Sequence, residues 1–299
     1  MMRTYIVSTL GFAVLLAGSV LARAEERHIE QQLAADPHGT VEISDIAGTV
    51  DVTGWDQPQV SVNGEVSSGN DVDVKSDRGR ITITVKFPSM SFNTRGVDLH
   101  VKVPRASEVD VTTVNADINS RGITGQQRLK AVSGSVHADI AQSDVEVKTV
   151  SGDVTLHGEG KPIGLHLTTI SGTIRVEHAA GDVEASTTSG GINLALDSGR
   201  SVRMRTVSGD VSFRGKLTKD ADFDAQTVSG GVKMRADSDG GFEYDVTTFS
   251  GDIGNCFNAK SEKNNHYGPG ERLSGSLGNG SGHVRLKTMS GDIELGDKQ

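Results

Sequence analysis

One phrase, written again and again, constrains this chain more than any other feature. KTVSGDVTLHG stands at Lys148–Gly158, and RTVSGDVSFRG returns at Arg205–Gly215. TTISGTIRVEH (Thr168–His178) and STTSGGINLAL (Ser186–Leu196) lie between them. Aligned on the Ser-Gly pair, the copies put serines at Ser133, Ser151, Ser171, Ser189, Ser208, Ser229, Ser250 and Ser290. The spacing is 18 to 21 residues, widening to 40 before the last copy, which leaves room for one degenerate repeat. A fixed period of this size is the mark of a repeat architecture.

Within a copy, apolar residues alternate on both sides of the Ser-Gly pair. In one copy they are Val145 and Val147 before Thr149-Val150-Ser151-Gly152, and Val154 and Leu156 after it. Period-2 alternation over about five residues predicts a half-buried strand. Each repeat is therefore two short strands joined at a corner. Glycine supplies the backbone freedom a sharp corner needs, and serine can hydrogen-bond locally across it.

Two architectures accept such a unit. In a β-solenoid each repeat is a coil stacked ~4.8 Å from the next. In a meander, Ser-Gly is the two-residue turn of an antiparallel hairpin, with Thr149 facing Val154. A solenoid stacks like on like and makes a ladder of Thr149, Thr169, Thr187, Thr206, Thr227 and Thr248. The residue after glycine then runs Asp153, Thr173, Gly191, Asp210, Gly231, Asp252, with no two consecutive copies both acidic. That order avoids like charges on neighbouring strands. The expectation is an all-β chain, a single-stranded parallel β-helix-like solenoid of ~20-residue coils, with the hairpin meander as the alternative.

Weaker copies occupy the N-terminal third. Val41, Ile43, Asp45, Ile46, Ala47, Gly48, Val50 and Val52 fit the frame, as do Val72, Val74, Ser76, Gly79, Ile81 and Ile83. Val109–Ile118 makes a third, and Val97–Val103 reads as an extra strand ending at Pro104. The chain divides into a signal peptide at 1–24, an irregular N-terminal β segment and cap at 25–105, and a solenoid repeat domain at 106–299. The last is interrupted by a long loop at 255–279.

The T-[VI]-S-G-[DTG]-[VI] phrase, the opening VEISDIAGTVDVTGWD (Val41–Asp56) and DLHVKVPRASEVDVTT (Asp98–Thr113) resemble the bacterial "putative adhesin" family of exported β-strand-repeat proteins, classed as a domain of unknown function. The resemblance implies a β-helix-like fold and a cell-envelope location. It carries no catalytic residues to transfer.

Export is also read from the N-terminus. Arg3 precedes an apolar run from Ile6 to Leu21, and Ala22-Arg23-Ala24 places small residues where a signal peptidase reads. The run is short for spanning ~30 Å of hydrocarbon, so cleavage after Ala24 is expected, with no membrane anchor afterwards. The removed segment carries Arg3 and Arg23 and no acidic residue, so the remainder is more acidic than the −9 of the whole chain. Such a balance disfavours nucleic acid and anionic membrane surfaces, which need clustered Lys and Arg. Cys256 is the only cysteine, so stability rests on burial and backbone pairing without an internal disulfide; burial of its thiol is the expected fate.

Nothing in the pattern assembles a catalytic site. A nucleophilic serine needs a base beside it, and no His keeps a fixed offset from the corner serines. No histidine sits in a zinc-ligand spacing; His137, His157 and His178 are expected near strand ends, on one face if the coils stack. No cofactor or metal site is expected. The long loop gathers the off-pattern polar groups, and Lys263, His266, Tyr267 and Arg272 are its candidate binding residues, since loops of this length are often functional. The leading expectation is a non-enzymatic, exported, adhesin-like module, periplasmic, at the cell surface or secreted, that contacts a protein or another envelope component. The alternatives are a carbohydrate-active β-helix enzyme and an envelope-stress regulatory factor.

Overall fold

The computed structural model describes residues 27–66, 69–87, 96–238, 240–257, 259–263 and 270–296. The signal segment, His266 and Tyr267 lie outside them. The described chain is all-β, with no helix.

Strands of successive repeats pair in parallel and in register. The first arms form one ladder in which Val111, Leu129, Val147, Leu167, Ala185 and Met204 stack in turn. The second arms form another, with Ile118, Val136, Val154, Ile174, Ile192, Val211 and Val232 in line. All of these side chains are buried in one continuous core. The two ladders meet across it: Phe213 on the second arm packs edge to face on Phe223 of the first, with ring centroids 4.8 Å apart.

The Ser-Gly pair is a corner between the ladders and not a hairpin turn. Ser151 pairs in parallel with Ser133 and Ser171, and the pairing runs on through Ser189, Ser208 and Ser229. Hydrogen bonding carries through the bend: Ser171 N donates to Val150 O at 2.8 Å, and Gly152 N donates to Ser171 O at 3.1 Å. Gly209 sits at φ +148°, and a Cβ there would collide with the Gly190 carbonyl oxygen. At Gly152 the same collision, with the Gly134 carbonyl oxygen, demands glycine without a left-handed φ.

Three sequence readings need correction. The stack does not follow chain order at its C-terminal end. Asp222–Ser229 pairs with His283–Ser290, which pairs in turn with Phe242–Ser250. Thr227 thus stacks on Thr288, and Thr248 lies beyond it. The N-terminal end does the same: strand Thr40–Trp55 lies between Glu108–Arg121 on one side and Arg80–Lys86 with Val97–Pro104 on the other. Second, Val72–Ile83 is an antiparallel hairpin, Asp71–Asp77 with Arg80–Lys86. Its two-residue turn, Arg78-Gly79, has positive φ at both positions, which matches strand twist. Third, segment 255–279 is partly strand: Glu271–Gly278 pairs antiparallel with Gly241–Ser250, and Glu262–Lys263 adds to its far edge.

Candidate interaction surface

The corner sorts its four residues in a fixed way. Threonine points inward: Thr206, Thr227, Thr288 and Thr248 each donate a hydrogen bond of 3.0–3.1 Å to the corner-glycine carbonyl of the coil stacked beneath, Gly190, Gly209, Gly230 and Gly291 respectively. The apolar residue after threonine, one step out of phase with the inward alternation, points to solvent. Every large hydrophobic side chain exposed among the described residues sits at this position: Ile46, Val114, Val132, Val150, Ile170, Val207, Val228, Met289 and Phe249. Their exposure runs from 41% at Val150 to 63% at Phe249. In stack order they form a single file, interrupted by Thr188, about 40 Å long at the ~4.8 Å strand spacing. An apolar surface of this extent is uncommon on a protein that works alone.

The file has flanks of opposite sign. On the first-arm side stand Arg205 and Lys287, with Lys130 and Lys148, which are ion-paired with Asp110 at 3.9 Å and with Glu146; on the second-arm side stand Asp117, Asp153, Asp210, Asp292 and Asp252. The aspartates have a structural task. Asp117, Asp153 and Asp210 each accept, through Oδ1, the backbone N–H of the equivalent residue one coil on: Ser135 at 2.7 Å, Thr173 at 2.7 Å and Gly231 at 2.8 Å. This explains the alternation better than charge avoidance does. Where the stack leaves chain order, two aspartates do meet, and Asp292 Oδ1 accepts Asp252 N at 2.9 Å.

At the N-terminal end of the file, Asp45 occupies the threonine position. It is 3% exposed; Oδ1 accepts the Ile46 N–H at 2.7 Å, and Oδ2 has no partner. Burial pushes its pKa up to about 6, against the lowering effect of the Ile46 and Ala47 amides, and the charge of Asp98 adds a smaller rise.

The residues singled out from sequence lie elsewhere. Lys263 is on the short edge strand, opposite Glu271, and Arg272 pairs with Asp245 at 3.0 Å. They belong to the antiparallel cap, which Glu271 ties to the last corner by accepting the Ile253 N–H at 3.1 Å. His157 and His178 do come together, ring centroids 5.3 Å apart, and His178 faces Asp197 at 3.4 Å; His137 is one row away, opposite Thr155. Cys256 is exposed, contrary to expectation, because the chain leaves the ladder at Asn255. Sequence reasoning missed the apolar file, although the parity of Val147, Thr149 and Val150 contained it.

A family model described as Toastrack DUF4097 matches residues 36–186 and again 164–296. The chain belongs to the Toastrack DUF4097 family. The resemblance read from the repeats therefore holds. No curated protein matches this Toastrack chain. It is similar to a solved structure described as a "putative adhesin" from Parabacteroides distasonis ATCC 8503, with 11% identity, 91% of this chain and 98% of that one covered, and a TM-score of 0.50. A "putative adhesin" from Bacteroides fragilis NCTC 9343 gives 10% identity, the same coverage and a TM-score of 0.46. A "putative cell adhesion protein" from Clostridium sporogenes ATCC 15579 gives 11%, 91% and 100% coverage, and 0.28. At these identities the likeness speaks to fold alone.

Proposed function

We propose that this Toastrack chain is a β-solenoid interaction module of the cell envelope, exported and non-enzymatic, that associates with a second copy of itself through the apolar corner file. The exposed file carries the reading. Its oppositely charged flanks make it self-complementary: a two-fold axis parallel to the stack sets the basic flank of one copy against the acidic flank of the other. A perpendicular axis would set like against like, which costs free energy. A file about 40 Å long with its flanks reaches roughly the 800 Å² per partner of a standard stable interface. The corner serines pair through their backbones all along the stack, which suits a scaffold. The adhesin descriptions of the structural relatives are consistent with a contact role, and the N-terminal apolar run supports export.

Sedimentation of the full chain without its signal segment tests this. The expected result is a concentration-dependent dimer that becomes monomeric in Val150→Asp/Val207→Asp, with melting unchanged to within about 0.5 kcal/mol because both positions face solvent. A monomer at all concentrations, or self-association indifferent to that pair, overturns it.

A further inference from the structure

The outer face of the second ladder carries a feature unrelated to the corner file. Residues Arg175, Asn193, Ser212 and Lys233 stack in one row, and Glu177, Ala195, Arg214 and Arg235 in the next. Asn193, Ser212 and Ala195, shorter than the side chains around them, leave a shallow trough of about 270 Å³ along the stack. Arg175 stands at one end, and Arg214, Lys233 and Arg235 at the other.

Three of its guanidinium charges are not neutralised as several on the first ladder are. On the first ladder, three exposed guanidinia face carboxylates: Arg203 meets Asp222 at 3.2 Å, Arg285 meets Asp224 at 3.5 Å, and Arg200 is paired with Asp182. In the trough, Lys233 meets Glu294 at 3.6 Å and Glu177 lines one wall, but Arg175, Arg214 and Arg235 have no carboxylate within ion-pair distance among the described residues. Arg214 and Arg235 are, moreover, direct register partners on adjacent strands. Like charges so placed are destabilising. In a chain with net charge −9, carboxylates are plentiful, yet none is placed here to relieve the repulsion. Such an arrangement is stabilised when an anion bridges the two guanidinia, whose planar forks suit oxyanion recognition.

We infer that the trough binds an anionic glycan, a sugar polymer bearing sulfate, phosphate or carboxylate groups. Arg175 stands two ladder steps from Arg214 and three from Lys233 and Arg235, about 10–14 Å. Between them lie the Asn193 amide and the Ser212 hydroxyl, both half-buried. That alternation of charge with neutral hydrogen-bonding groups fits a polymer whose anionic groups are separated by hydroxylated units. Duplex nucleic acid, with a charge every ~1.7 Å of axis, would run beyond the trough onto an acidic surface. A flat anionic membrane would not reach the groups recessed at its floor.

Titration of the full chain without its signal segment with a heparin hexasaccharide at low and high salt tests the site, beside neutral dextran, duplex DNA, polyglutamate and anionic phospholipid vesicles. The expected result is salt-sensitive binding of the hexasaccharide, none of dextran, and weaker binding of the other three. Arg214→Gln/Arg235→Gln should weaken the hexasaccharide at least ten-fold. Arg121→Gln, which removes an exposed guanidinium far from the trough, should change it less than two-fold. The double variant should also melt higher than the parent at low salt, and the gap should close at high salt. No hexasaccharide binding, binding indifferent to the double variant, or preference for DNA, polyglutamate or vesicles overturns the assignment.

Discussion

The two ends of the stack solve one problem to different degrees. At each, a segment from the chain's extremity is threaded one coil inward: Thr40–Trp55 at one end, and Gly282–Ser290 with Ile293–Leu295 at the other. The outermost coil is then covered by antiparallel strands. At the N-terminal end both arms are covered, the first by Asp71–Asp77, the second by Gln59–Val66 and beyond it Arg27–Ala34. At the C-terminal end the first arm is covered by Glu271–Gly278, while no described strand lies beyond Ile253–Asn255 on the second. An open parallel ladder invites further pairing, and antiparallel cover ends the ladder because its own outer edge no longer repeats the coil. The difference teaches that the threaded coil does the locking, while the cover only finishes the edge.

The strongest test breaks a lock. Removing residues 282–299 deletes buried Val284, Leu286, Ile293 and Leu295 and strips the parallel partner from Gly241–Ser250. At ~1.5–3 kcal/mol per buried apolar side chain, the loss should reach about 6–12 kcal/mol, read as collapse of the cooperative transition in urea. Removing Arg27–Ala34, an outer cover strand whose apolar side chains are half-buried, should cost far less. Equal losses would mean that threading adds nothing over covering.

Next in size is Asp45, which stands at the N-terminal end where the other end has Thr248. Its pKa is raised from 3.8 to about 6 in the fold, so the stability tied to its neutral form is full below about pH 4 and is lost as pH rises through about 6. By pH 8 the deficit should be about 3 kcal/mol. Asp45→Thr should flatten the stability profile between pH 4 and 7 and raise stability at pH 8, with no gain at pH 3.5. An unchanged slope in denaturant titrations across that range would show that the carboxyl is not carrying the cost.

The smallest effect compares two rungs of the threonine ladder. Thr227 donates to Gly209 O at 3.1 Å, whereas the Thr169 hydroxyl is buried without a partner. Thr227→Val should destabilise by about 1 kcal/mol, and Thr169→Val should be neutral or stabilising. Melting shifts of the same sign in both would mean that the rungs are equivalent in solution.

Much of this was legible in the repeated phrase. Alternation around Ser151-Gly152 carried strand, corner and inward threonine, because those depend on local parity. The order of coils was not legible, since Thr227 meets an equally good Thr-apolar-Ser-Gly rung at 288 or at 248, and only packing at the ends chooses. The Asp71–Lys86 hairpin was misread because alternation is shared by coil and hairpin; its Arg78-Gly79 turn was the missed cue. The trough was hidden for another reason. Arg214 and Arg235 are 21 residues apart, and their proximity appears only once the register is known.

The threaded coil at the C-terminal end also sets a timetable. Synthesis proceeds from the N-terminus, so Phe242–Ser250 emerges before the strand on which it stacks, His283–Ser290, exists. Coils up to Ser229 can be laid down one after another as they appear. The Ser250 coil must then be held aside until His283–Ser290 arrives, and pairing across so long an intervening segment is slow to close. The stack closes only when Gly282–Ser290 has slipped beneath a strand made earlier, so a nascent chain cut short before that segment is left with an unfinished stack.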